Sequence, residues 1–152
     1  MTTTTADTAP DTPSPAPLDT AEPGLVLPER RFTLTRSDLV RYAGASGDLN
    51  PIHFDERSAD AVGLPGVIAH GMLTMGLAAT AVTDWCGPTA RVAEYESRFA
   101  RPVVVPPGEG VELVVSGRVD AVLPEGVRLV LTATCGGERV LARTRALVVA
   151  ER

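Results

Sequence analysis

Asp48-Leu49-Asn50-Pro51-Ile52-His53 sets a carboxylate and an imidazole five positions apart, within a run of mostly small and apolar residues. Proline fixes its own φ and restricts the residue before it, so Asn50-Pro51 starts a turn. A turn stiffened in this way can bring the Asp48 carboxylate and the His53 ring to one small volume, which is what paired acid and base work requires. Asp48 and Asn50 are also common turn formers, and a plain turn is the competing reading. His53 weighs against it, because the 152 residues include only two histidines.

The other histidine, His70, stands with Gly71 where an apolar helix should begin. The first N–H groups of a helix lack internal partners and lie at the positive end of its dipole. A glycine there lets a ligand oxygen approach without meeting a Cβ, so the Gly71 N–H is a candidate oxyanion donor. Taken singly, His70 reads as a helix cap or a buried hydrogen-bonded histidine, and Gly71 as a site of close helix packing. Asp48, His53 and His70 are also metal-ligand types, but their spacings match no zinc pattern and a helix N-terminus repels cations, so no metal is expected. Nucleophilic catalysis is disfavoured too. No GxSxG occurs, and Cys86 has no helix start or basic neighbourhood to lower its pKa.

All 14 basic residues are arginine. The lack of lysine excludes a Schiff-base lysine and the lysine of a phosphate-binding P-loop. A net charge of -5 argues against a nucleic-acid partner. Cys86 and Cys135 stand far apart with no CxxC spacing, so no disulfide framework is indicated and a reduced, cytoplasmic setting is expected. The first ten residues lack a basic region and an apolar stretch, and no 18 apolar residues run together, so neither a signal peptide nor a membrane span is expected.

What must position these groups follows from periodicity. Residues 1–28 carry six of the 13 prolines and no aromatic, and read as a disordered tail whose removal from 2 to 27 should leave activity and melting temperature unchanged. A single domain over 29–152 then opens with a short strand carrying Phe32 and Leu34, followed by a helix with Ser37 as N-cap and Leu39, Val40 and Ala43 on one face. A short helix closed by Gly63 comes next. From Met72 to Val82 nearly every face is apolar or small, which predicts a helix surrounded by protein. Four alternating strands follow: Ala93, Tyr95 and Phe99 on one face of the first, Val111, Leu113, Val115 and Val119 on the second, Val127, Leu129, Leu131 and Ala133 on the third, and a last over Val140–Val149. Helices around one apolar helix, joined to a run of antiparallel strands, give the α+β class.

The stretch YAGASGDLNPIHFDERSADAVGLPGVIAHGMLTMG, with RFARPVVVPPG further on, closely resembles the hydratase motif of MaoC-like hot-dog proteins. Within that family it is most similar to the catalytic subunit of actinobacterial two-subunit (3R)-hydroxyacyl-ACP dehydratases. The resemblance runs from about Phe32 onward and leaves the proline-rich leader outside it. It implies a hot-dog fold, an antiparallel sheet wrapped around a central helix. It places the family's catalytic Asp and His on Asp48 and His53, its oxyanion donor on the Gly71 N–H, and supporting roles on Asn50 and His70. The implied reaction is reversible dehydration of (3R)-hydroxyacyl thioesters to trans-2-enoyl thioesters, carried by acyl carrier protein or CoA and needing no metal or other cofactor. An (R)-specific enoyl-CoA hydratase and a non-catalytic acyl-binding subunit are the alternatives. The implied partner is a homologous hot-dog chain, in a heterodimer before a homodimer.

Overall fold

Alternating apolar residues need a partner surface, and the strands expected in the C-terminal half find it in one another. In the computed structural model, which describes residues 20–151, the order is β1 (Val26–Leu34), α1 (Arg36–Ser46), a 3₁₀ turn (Pro51–His53), α2 (Glu56–Ala61), α3 (Gly71–Cys86), β2 (Ala90–Phe99), β3 (Val111–Leu123), β4 (Gly126–Cys135) and β5 (Glu138–Ala150). The five strands make one antiparallel sheet in the order β1-β3-β4-β5-β2. Leu113, Val115 and Val119 of β3, Val127, Leu129, Leu131 and Ala133 of β4, and Val140, Ala146 and Val148 of β5 are buried together. They form the concave face that holds Ala78, Ala81, Val82 and Trp85 of α3. This is the expected α+β, hot-dog arrangement.

Trp85 fixes how closely α3 seats. A Cβ on Gly117 of β3 would stand 2.8 Å from its ring, closer than real contacts allow, so the sheet can take the indole only over a glycine. The indole N–H donates to the Pro28 carbonyl at 2.9 Å, which ties β1 to the helix as well. Burial of α3 is less complete than its composition suggests. Met72, Gly76, Thr80 and Thr83 form an exposed stripe at helical spacing, because the sheet wraps only part of the helix.

Three further expectations are corrected. Order begins before residue 29: β1 starts at Val26, Leu27 is buried, and the Gly24 N–H and Leu25 carbonyl bond to Val119 at 2.9 and 2.8 Å. The tail expected over 1–28 therefore ends earlier, and its residues 1–19 lie outside the described residues. Period reading missed the start of the strand because residues 24–27 lie between Pro23 and Pro28. Deleting residues 20–27 should cost about 3 kcal/mol or more, from one buried leucine and lost sheet bonds, measured by urea unfolding. An unchanged midpoint would return this stretch to the tail.

The N-cap of α1 is Thr35, not Ser37. The Thr35 hydroxyl accepts the Asp38 N–H while the Asp38 carboxylate accepts the Thr35 N–H at 2.9 Å, a reciprocal box that starts the helix two residues sooner. In β2 the regular alternation fails at Ala93, which is exposed, because the register against β5 shifts between Val92 and Glu94 and again between Glu96 and Arg98.

Candidate functional site

The chain leaves α1 through Gly47, whose φ of 75° is the left-handed conformation that ends a helix and turns the backbone sharply. Three successive short-range bonds then shape the turn. The Ser46 hydroxyl accepts the Asp48 N–H (3.2 Å), the Asp48 carboxylate accepts the Asn50 N–H (3.2 Å), and the Asn50 side-chain oxygen accepts the Ile52 N–H (3.3 Å). Asn50 thus caps the 3₁₀ turn that Pro51 begins, and His53 closes it. The side chain of His53 turns inward and is buried. Its Nδ1 lies 2.8 Å from the Ile68 carbonyl, and since a carbonyl only accepts, Nδ1 carries the proton. That leaves Nε2 facing Asp48, at 3.9 Å from Oδ2. The gap is too long for a direct hydrogen bond and suits one oxygen held between the two groups.

His70 is the N-cap of α3 by position, but its side chain makes no cap bond. It is buried, with its ring stacked on that of His53 at 3.7 Å between centroids and 23° between planes, and the Tyr42 ring lies tilted against it at 4.9 Å. Its Nε2 donates to the Asp48 carbonyl (3.2 Å), while Nδ1 is buried without a partner. Burial holds its pKa below 6.5, opposed by the Asp48 carbonyl and reinforced by the neighbouring His53 ring. A histidine that is harder to protonate folded than unfolded binds fewer protons in the native state, so stability rises with pH up to about 6.5 and is lost below it. His70→Phe, which cannot titrate, should lose less stability than wild type between pH 7 and 5 in urea melts. An equal loss would place the acid sensitivity elsewhere.

Thr74 N–H makes the first bond back into α3, to the His70 carbonyl, so the amides of Gly71, Met72 and Leu73 precede the helical ladder at its positive end. Of these three residues Gly71 lines a cleft of about 300 Å³, with His53, Thr74, Phe99, Arg101 and Leu141 among others. A Cβ on Gly71 would lie 3.0 Å from the Phe99 ring. This contact is the close packing expected of the glycine, although the packing partner belongs to β2 and not to a helix. Phe99, expected on one face of its strand with Ala93 and Tyr95, lines the cleft and is half exposed. Sequence reading did not connect Phe99 or Arg101 with the site, because the neighbourhood of β2 and α3 is made by the sheet. Leu49, Phe54 and Met72, next in sequence to Asp48, His53 and Gly71, are exposed as well.

The donor atoms of Asp48, His53 and His70 lie within 4.8 Å of one another, a gathering that their spacing in the chain did not suggest. A histidine binds an ion through an in-plane lone pair. Here the rings are stacked, so a point in the plane of one lies off the plane of the other, and the Nε2 of His70 is committed to a carbonyl. The set fits proton handling better than ligation. Burial pushes the Cys86 thiol up to about 11, which removes it as a nucleophile at neutral pH.

Residues 18–134 match the model of the MaoC like domain. The chain is 36% identical over 96 residues to 3-hydroxyacyl-thioester dehydratase X of Mycobacterium tuberculosis, covering 63% of this chain and 33% of that one. It is 36% identical over 117 residues to 3-hydroxybutyryl-CoA dehydratase of Methylorubrum extorquens, covering 76% and 72%. A solved MaoC-like dehydratase superposes with a TM-score of 0.81 at 37% identity, over 93% of this chain and 45% of that one. The chain thus spans a third to a half of two of these relatives and most of the third. With the matched model spanning the 3₁₀ turn, α3 and the first strands of the sheet, the chain belongs to the MaoC-like family of hot-dog proteins.

Proposed function

We propose that this chain catalyses the reversible dehydration of (3R)-hydroxyacyl thioesters to trans-2-enoyl thioesters. The observation that carries the reading is the 3.9 Å gap between His53 Nε2 and Asp48 Oδ2, with His53 and Gly71 lining one cleft. In the hydration direction, a water in that gap gives one proton to the dyad as its oxygen bonds the β-carbon. The electron pair of the double bond passes toward the thioester oxygen, where the Gly71 N–H stabilises the developing charge. A proton then returns to the α-carbon. Dehydration retraces the path, with α-proton removal and departure of the β-hydroxyl as water. Asn50 holds the turn, and His70 holds the Asp48 main chain and the plane of His53.

The dehydratase names of both curated relatives support this reading, one of them on a CoA substrate. Loss of enoyl absorbance when the purified chain meets crotonyl-CoA tests it. Activity on the carrier-protein thioester but not on CoA would assign the carrier, and no turnover of either would favour the acyl-binding alternative. No described helix is long and apolar enough to cross a membrane, and the reading places the enzyme in the cytoplasm.

The working unit in this reading is a pair of hot-dog chains, with a related partner before a second copy. The edge strands β1 and β2, the open stripe of α3 and the exposed Leu49, Phe54, Met72 and Phe99 leave apolar or hydrogen-bonding surface for a partner. The preference for a related partner rests on the resemblance to two-subunit dehydratases. Elution of the chain alone as a dimer with full long-chain activity would select the homodimer.

A further inference from the structure

The cleft that holds His53 and Gly71 is lined almost wholly by uncharged groups, and the one guanidinium on its wall is that of Arg101. The backbone beneath it is fixed on both sides. Ala100 and Arg101 donate to the Val140 carbonyl of β5 at 2.9 and 3.4 Å, and the Val103 carbonyl accepts the Ala69 N–H at 2.8 Å. Arg101 stands at a bend two residues past Phe99, the last residue of β2, whose ring lies against Gly71. Its ion pair is with Glu138 at 3.3 Å, with side chains 61% and 64% exposed. An exposed pair of this kind contributes little and is easily exchanged for another anion.

On the thioester reading above, the carbonyl sits at Gly71 and the pantetheine arm must leave the cleft toward solvent. That arm is neutral until it ends in a phosphate, a group that both CoA and a carrier protein bear. We propose that Arg101 binds the phosphate of the phosphopantetheine arm, with Glu138 as the carboxylate that it gives up on binding. A guanidinium on a rigid backbone is well suited to a phosphate, which it can engage through two parallel N–H bonds. Arg98, Arg143 and Arg145 border a different groove with Glu96 and Ser97 and are not part of this contact.

The test compares binding of 4′-phosphopantetheine and of pantetheine by titration calorimetry, with CoA and the holo-carrier protein as further arms that separate the two sources. Wild type should prefer the phosphorylated arm, and Arg101→Ala should reduce that preference by about 10-fold. Glu138→Gln should increase it, a change that loss of a merely structural ion pair would not produce. Arg118→Ala, on the exposed side of β3, serves as the control. No preference in wild type, or an equal preference in Arg101→Ala, overturns the proposal. Crotonyl-CoA turnover is scored separately: an inactive chain that keeps an Arg101-dependent preference retains this contact and loses the catalytic reading, while an active chain without the preference does the reverse.

Discussion

Asp48→Asn lowers crotonyl-CoA turnover by at least ~10²-fold while the melting temperature holds, as expected for loss of a positioned proton-transfer group. The substitution keeps the shape of the side chain, and its oxygen can still accept the Asn50 N–H that shapes the turn. What it removes is the carboxylate 3.9 Å from His53 Nε2, the one acidic group facing that imidazole across the gap. Asp48 is exposed, so little packing is lost with it. His53→Ala should impair turnover as severely but less cleanly. Its ring is buried, donates to the Ile68 carbonyl and stacks on His70, so alanine leaves an unpaired acceptor and a void, at a cost of about 1–3 kcal/mol. Near-normal rates in Asp48→Asn would sink the assignment of the pair.

Gly71→Val should lower turnover on the order of 10² or more, for two separable reasons. A Cβ meets the Phe99 ring at 3.0 Å, and the branched side chain crowds the approach to the first amide of α3. Phe99→Ala distinguishes them. Adding it to Gly71→Val removes the collision and should recover the melting temperature, because the ring is half exposed at the cleft's edge and can be lost without opening the core. The rate should stay low, since the amide remains shielded. Recovery of both quantities in the double variant would make Gly71 a packing residue only.

How far such a site can be read in advance depends on whether its parts are local. Asp48, Asn50, Pro51 and His53 lie within six residues, and the bonds that shape them run between neighbours two positions apart. Proline and side-chain capping act at that range, so the turn was legible in the chain, as were Gly71 at a helix start and the inward faces of β3 and β4. Legibility failed where longer-range bonds competed with local preference. Residues 24–27 look like a proline-bounded tail until β3 offers them partners, and the even alternation of β2 breaks where its register against β5 shifts.

The sequence by itself determined the α+β class, the residues of the turn and the glycine that begins α3, because periodicity, turn chemistry and helix ends are properties of adjacent residues. Tertiary structure decided that the Ile68 carbonyl accepts a hydrogen bond from His53 Nδ1–H, that His70 stacks on His53 instead of capping α3, and that Phe99 and Arg101 border the same cleft. Those relations join residues from 15 positions apart upward, and the strand order β1-β3-β4-β5-β2, set by which apolar faces can close over α3, is what brings β2 and β5 to the site.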